Sequence, residues 1–193
     1  MSVRPTRPAL RERYDRRQQQ VVYQAAKIFA KRGYDQTTMQ ELAASMDLAA
    51  GTLYHYFAGK EDLLMAICDQ LMEPLLDQAG ELLGGDRDPE AQLRAVVRRW
   101  VEHVVEHRDH MLVFQQERHL IESGDRWRKV RASRKAFERL VAEALARARP
   151  AADSRLDLLA LLGMVNHTAQ WYRPRGALSP AQIADGYVDL ILR

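Results

Sequence analysis

Sulfur cross-linking is absent from this chain of 193 residues: Cys68 is its single cysteine. No intrachain disulfide can form, which suits a reducing compartment. No apolar run is long enough to span a bilayer, and no charged, then apolar, then small leader opens the chain. A cytoplasmic protein with no membrane partner is therefore expected. Apolar residues nowhere alternate cleanly with polar ones, which argues against half-buried strands. There is no internal repeat, no low-complexity tract beyond the opening segment, and no glycine loop to cradle phosphate. Cys68-Asp69 has no identifiable base beside it, so the thiol reads as a small buried apolar group rather than a nucleophile.

What the chain does have is an uneven charge. The net charge is +3, yet residues 1–60 carry ten Lys/Arg against five Asp/Glu, leaving +5 there and −2 over the rest. The length suffices for one full core or two small coupled domains. Apolar residues recur at three and four nearly throughout, so the fold class is all-α, with about nine helices. The basic, proline-punctuated opening predicts a flexible arm over 1–17, whose Arg4, Arg7, Arg11, Arg13, Arg16 and Arg17 could meet DNA or merely solubilise the chain. Val21, Val22, Ala25, Ile28 and Phe29 give a first helix closed at Gly33. Thr37 or Thr38 caps a second, buried through Met39, Leu42, Ala43 and Met46. A third runs from about Ala49 to Phe57. A fourth opens at Lys60-Glu61-Asp62 and should kink at Pro74 before stopping at Leu83-Gly84-Gly85. Asp88-Pro89-Glu90 starts a fifth helix to about His107, and a sixth takes Asp109 to about Ile121. The seventh spans Asp125 to about Arg147, the eighth Asp153 or Ser154 to Tyr172, and the ninth opens at Ser179-Pro180. The divisions are an arm over 1–17, a first domain over 18–63 and a second over 64–193.

The most informative stretch is Thr37-Thr38-Met39-Gln40-Glu41-Leu42-Ala43 with Gly51-Thr52-Leu53-Tyr54-His55-Tyr56-Phe57-Ala58-Gly59-Lys60. Two short helices joined by a tight turn make a helix-turn-helix, whose second helix enters a DNA major groove. Leu53 and Phe57 are four apart and face the core. Gly51, Thr52, Tyr54, His55 and Tyr56 are left outward, with hydroxyls and an imidazole suited to phosphate oxygens. Lys60 at a helix N-terminus suits a phosphate.

The pattern GTLYHYFxxKExL resembles the TetR family of bacterial transcriptional repressors. The resemblance implies a phosphate contact at Thr38, a base-edge contact at Gln40, a base contact at Thr52, and backbone clamps at Tyr54, His55, Tyr56 and Lys60. Two departures stand out. Ala49-Ala50 precedes the glycine where the family often carries a polar or basic residue. Met46-Asp47 occupies the turn where glycine is usual, although Asp tolerates the left-handed conformation. The resemblance further implies a homodimer through the eighth and ninth helices, and a small-molecule cavity within helices four to seven. The eighth helix agrees, being apolar nearly all round from Leu156 to Val165. Aromatic, methionine and stray polar residues give the cavity set: Trp100, His103, Val104, Met111, Phe114, Gln115, Arg118, Phe137, Asn166 and Gln170. For each residue taken singly, plain core packing is the first reading. Trp171-Tyr172-Arg173-Pro174 with Gly176 and Leu178-Ser179 resembles the WYRPxGxLS close of members that sense acyl-CoA thioesters. Arg118, Arg128 and Arg134 could then meet a CoA phosphate.

The function expected is a DNA-binding repressor released from a palindromic operator by a hydrophobic effector, an acyl-CoA thioester among the options. No cofactor and no metal is expected. The rival from another class is a helical-bundle metal-binding enzyme using His103, Glu106 and His107, which lie on one helix face. A second rival is a non-specific DNA-coating protein using the basic arm.

Overall fold

The computed structural model describes residues 7–85, 88–150 and 154–193. Among them are ten α-helices, one 3-10 turn and no strand. The order is α1 (Pro8–Arg32), α2 (Met39–Ser45), α3 (Ala50–Tyr56), α4 (Lys60–Leu83), α5 (Pro89–Glu106), α6 (Arg108–Gln116), α7 (Arg118–Glu122), the turn Asp125–Trp127, α8 (Arg128–Ala148), α9 (Ser154–Trp171) and α10 (Pro180–Leu192).

The first helix starts far earlier than expected. Pro8 occupies its first turn, where the missing N–H costs nothing, and good helix formers follow, so residues 8–17 are helical rather than an irregular arm. Arg7, Arg11, Arg13, Arg16 and Arg17 are exposed, while Arg4 lies outside the described residues. The helix closes at Gly33, whose φ of +88° favours glycine. Asp47 takes the turn between α2 and α3 at φ +54°, so an acid does the work expected of it there.

Helix α4 is continuous through Pro74. It carries a nearly unbroken buried stripe, Leu63, Leu64, Ile67, Cys68, Leu71, Met72 and Leu75, and packs against α5 and α8. Burying such aliphatic side chains contributes about 1.5–3 kcal/mol each before the entropy cost of ordering them. Helix α5 in turn packs on α9 and α10. Arg98 grips Asp185 with two hydrogen bonds of 2.7 and 2.8 Å, and Arg94 reaches Asp189 at 2.6 Å. The α1–α3 unit is seated on this body through α1 against α4 and α6. Arg126 adds hydrogen bonds to Glu61 (2.7 Å) and Asp62 (2.6 Å) at the start of α4.

The expected sixth helix is two. It breaks at Glu117 (φ −96°, ψ 18°) without glycine or proline, although Glu117 N–H still donates to Val113 O at 3.0 Å. The expected seventh helix begins with the 3-10 turn instead, after Gly124 at φ +79°. Ser179 and Gln182 form a reciprocal cap on α10. For α9, the expected cap Asp153 and the side chain of Ser154 lie outside the described residues.

Candidate nucleic-acid interface and ligand groove

Leu53 and Phe57 are buried, as their spacing requires, and this fixes which face of α3 turns outward. Gly51, Thr52, Tyr54 and His55 are exposed and Tyr56 is half-buried. Gln40 on α2 is exposed beside them in the sequence order of a helix-turn-helix. The ridge therefore faces solvent. The aromatic residues are not loose, however. Tyr14 of α1 packs against Tyr56 (ring centroids 4.9 Å apart) and edge-on to His55 (5.8 Å). Extending α1 into residues 8–17 is what brings Tyr14 there. Its heptad spacing from Val21 was a visible signal that the arm reading passed over.

Two sequence-assigned contacts have structural work of their own. Thr38 caps α2: its Oγ1 accepts from Glu41 N–H (3.2 Å), and Glu41 Oε2 accepts from both Thr38 N–H and Thr38 Oγ1–H (2.8 Å each). Those bonds hold the Glu41 carboxyl below the usual carboxylate range. Lys60 turns toward the protein, donating from Nζ to Tyr34 O at 2.8 Å with the ammonium 4.2 Å from the Tyr34 ring centroid. Its first job is to tie the start of α4 to the loop after α1. Burial, followed by Glu61, Asp35 and Glu117, pushes the Tyr34 phenol up to about 12.

In the body, a groove of about 550 Å³ opens between α6, α7, α8 and α9. Phe114, Gln115, Arg118, Asn166 and Gln170 line it, together with Arg134, Glu138, Leu159, Leu162, Gly163 and His167. Adjoining it is a void of about 30 Å³ lined by Met72, Leu75, Trp100, Met111 and Phe137; Phe114, Arg134, Glu138, Leu162 and Asn166 border both spaces. Eight of the ten expected cavity residues are thus brought together. Trp100 and Phe137 meet edge to face at 4.9 Å.

His103 and Val104 are not among the lining residues. Val104 is fully buried core. His103 stands one turn beyond Trp100 on α5, donating Nε2–H to Leu71 O at 2.8 Å, and burial lowers its pKa to about 4. Gln115 spans this part of α9: its Nε2 donates to the backbone carbonyl of Asn166 (2.9 Å) and its Oε1 accepts from the Gln170 side-chain amide (3.1 Å). The Gln170 amide therefore has a protein partner.

Of the three arginines weighed for an anionic ligand, Arg128 is exposed, pairs with Asp125 at 3.1 Å, and is absent from the groove lining. Arg118 is 70% exposed at the groove. Arg134 is 15% exposed, bridging Glu122 and, 3.4 Å away, Glu138. Its Nε has no hydrogen-bond partner, so that contact is ionic only. Glu138, Leu159, Leu162 and His167 went unassigned from sequence, because their spacing is that of ordinary helix faces.

A solvent-facing helix-turn-helix carried on a helical body with a mixed polar and apolar groove defines a DNA-binding regulator with a sensing half. The family described as "Bacterial regulatory proteins, tetR family" matches residues 22–67, and "Tetracyclin repressor-like, C-terminal domain" matches residues 86–193. The HTH-type transcriptional repressor KstR2 of Mycobacterium tuberculosis is 24% identical over 174 residues, covering 87% of each chain. Among solved structures, a TetR-family regulator from Bordetella parapertussis superposes with TM-score 0.84 at 26% identity, covering 93% of this chain and 95% of that one. AibR, solved in complex with isovaleryl coenzyme A and operator DNA, gives 0.77 at 28% identity over 90% and 97%. The chain belongs to the tetR family of bacterial regulatory proteins. It is a DNA-binding transcriptional regulator and not an enzyme, so the helical-bundle metalloenzyme is set aside. Among the described residues, no helix is long and apolar enough to cross a membrane.

Proposed function

We propose that this chain is a homodimeric cytoplasmic repressor, with residues 18–63 reading a palindromic operator and residues 64–193 sensing an acyl-CoA thioester. Gln40 and Thr52 would read base edges, Gly51 would let the backbone approach, and Thr38, Tyr54, His55, Tyr56 and Lys60 would position the DNA backbone. Exposure of this ridge supports that division of labour. Helices α9 and α10 would make the dimer.

The observation that carries the effector reading is the shared wall of the groove and the aromatic void. Arg118 and Arg134 provide cationic anchoring for phosphates, and Trp100, Met111, Phe114 and Phe137 an apolar end for an acyl group. AibR, the relative solved with isovaleryl coenzyme A, makes this chemistry a natural choice. The void, at about 30 Å³, has room for little more than one water. An acyl chain must therefore open it, pressing on Met72 and Leu75 of α4. Because α4 starts at Lys60 beside the helix-turn-helix, ligand binding would favour an arrangement unable to hold DNA.

The test is a mobility-shift assay on the operator with isovaleryl-CoA, longer acyl-CoA thioesters and the matching free acids. Thioesters should release DNA and free acids should not; release by neither would overturn the effector assignment. In the same assay Tyr54→Ala and Gln40→Ala should weaken binding by about 1–3 kcal/mol each while the dimer stays folded.

A further inference from the structure

At the C-terminal end of α5, three histidines meet where α5 passes into α6. His103 and His107 stack with ring centroids 4.2 Å apart, and His110 stands edge-on to His107 at 5.4 Å. One donor atom from each of His103, Glu106 and His107 lies within 4.8 Å of the other two.

The hydrogen bonds fix which imidazole nitrogens are available. His103 Nε2 lies 2.8 Å from Leu71 O. A carbonyl can only accept, so Nε2 carries the proton and Nδ1 the lone pair. His107 Nδ1 lies 3.2 Å from His103 O, which by the same reasoning leaves the lone pair on Nε2. A metal-binding imidazole usually has its other nitrogen pinned in this way, by a backbone carbonyl or a carboxylate. His103 is 1% exposed, and its Nδ1 has no hydrogen-bond partner. A buried acceptor left unmade is costly, so its retention needs a reason. Stacking and burial in the core do not satisfy it; a cation would.

We propose that His103, Glu106 and His107 form a binding site for a divalent first-row metal ion of the Zn²⁺ class. Two imidazoles and a carboxylate, with no thiolate, suit that class, and water fills the fourth position. A second groove, about 510 Å³ and lined by Tyr23, Gln70, Pro74 and His107 among others, opens His107 to solvent. Glu106 exchanges its contact with Arg99 (3.2 and 3.3 Å) for the ion, and Arg99 keeps Gln78 and Glu102. No catalysis is implied. The ion would pin the α5–α6 corner near Pro74 of α4 and near His110, whose ring is 5.8 Å from Tyr23 of α1. Occupancy would thereby bear on how the α1–α3 unit is seated.

The test uses the full chain without a histidine tag, stripped with a chelator and titrated with Co²⁺. Expected is one ion per chain with the intense visible absorption of tetrahedral Co²⁺, displaced by Zn²⁺. His107→Gln and Glu106→Gln, both at partly exposed positions and so tolerant of change, should weaken binding at least about tenfold. His119→Ala, at an exposed histidine elsewhere, should leave it unchanged. Far-ultraviolet dichroism confirms that each variant is helical. Equal Co²⁺ affinity in the wild type and His107→Gln, or no tetrahedral spectrum, would overturn the proposal. Operator release by thioesters is read separately, so either reading can fail without the other.

Discussion

Glu117, at the bend between α6 and α7, is 7% exposed and its Oε2 has no hydrogen-bond partner. Burial first, and Asp35 second, raise its pKa above the ordinary carboxylate value, while His119 and Lys60 pull the other way. A raised folded-state value means the native protein holds the proton more tightly than the unfolded chain. Below the unfolded value both states are protonated and nothing is lost. As pH rises through the carboxylate range the unfolded chain ionises first, and stability falls. Glu117→Gln should therefore raise the melting temperature at pH 7, by the equivalent of about 1 kcal/mol, with the gain shrinking toward pH 4. Thermal scans at several pH values check this. At this scale the sequence was legible in type but not in allegiance. Thr38 and Lys60 stand where a DNA contact would place them, yet a capping box and a tyrosine carbonyl already engage them. The partner of the Gln170 amide is likewise hidden in the sequence, because Gln115 lies 55 residues away in the chain.

Among the elements, the seam between α5 and α8 is filled by Trp100 against Phe137, both almost fully buried. Trp100→Ala should cost about 3–5 kcal/mol, measured by denaturant unfolding, since the transfer term and the cavity term add. It also enlarges the small void, so the variant should bind longer thioesters better than the wild type relative to isovaleryl-CoA. Helix existence and phase could be read directly: Leu53 with Phe57, and the buried stripe of α4, follow from periodicity alone. Boundaries could not where tertiary packing sets them. Nothing around Glu117 breaks a helix locally, and residues 8–17 look like an arm until Tyr14 is seen to rest on α3.

For the whole molecule, Leu156 (64% exposed), Leu159 (55%) and Leu190 (59%) leave α9 and α10 with apolar area turned to solvent in a single chain. Such a face fits the pairing of two protomers about a two-fold axis. Leu156→Glu combined with Leu190→Glu should shift the protein to monomer in sedimentation velocity, and operator binding should fall with it because two half-sites are read together. Charge asymmetry, visible in the sequence, points the same way: the basic excess lies in the part that would face the duplex.

A rod of 24 residues has a consequence of its own. At 1.5 Å per residue α4 is roughly 36 Å long, so a swing of about 5° about its far end carries the near end through roughly 3 Å. In a symmetric pair the two excursions add, giving about 6 Å, around half the width of a major groove. A stiff spoke can thus convert the swelling of a space little larger than a water molecule into a misfit too large for both reading heads to stay engaged.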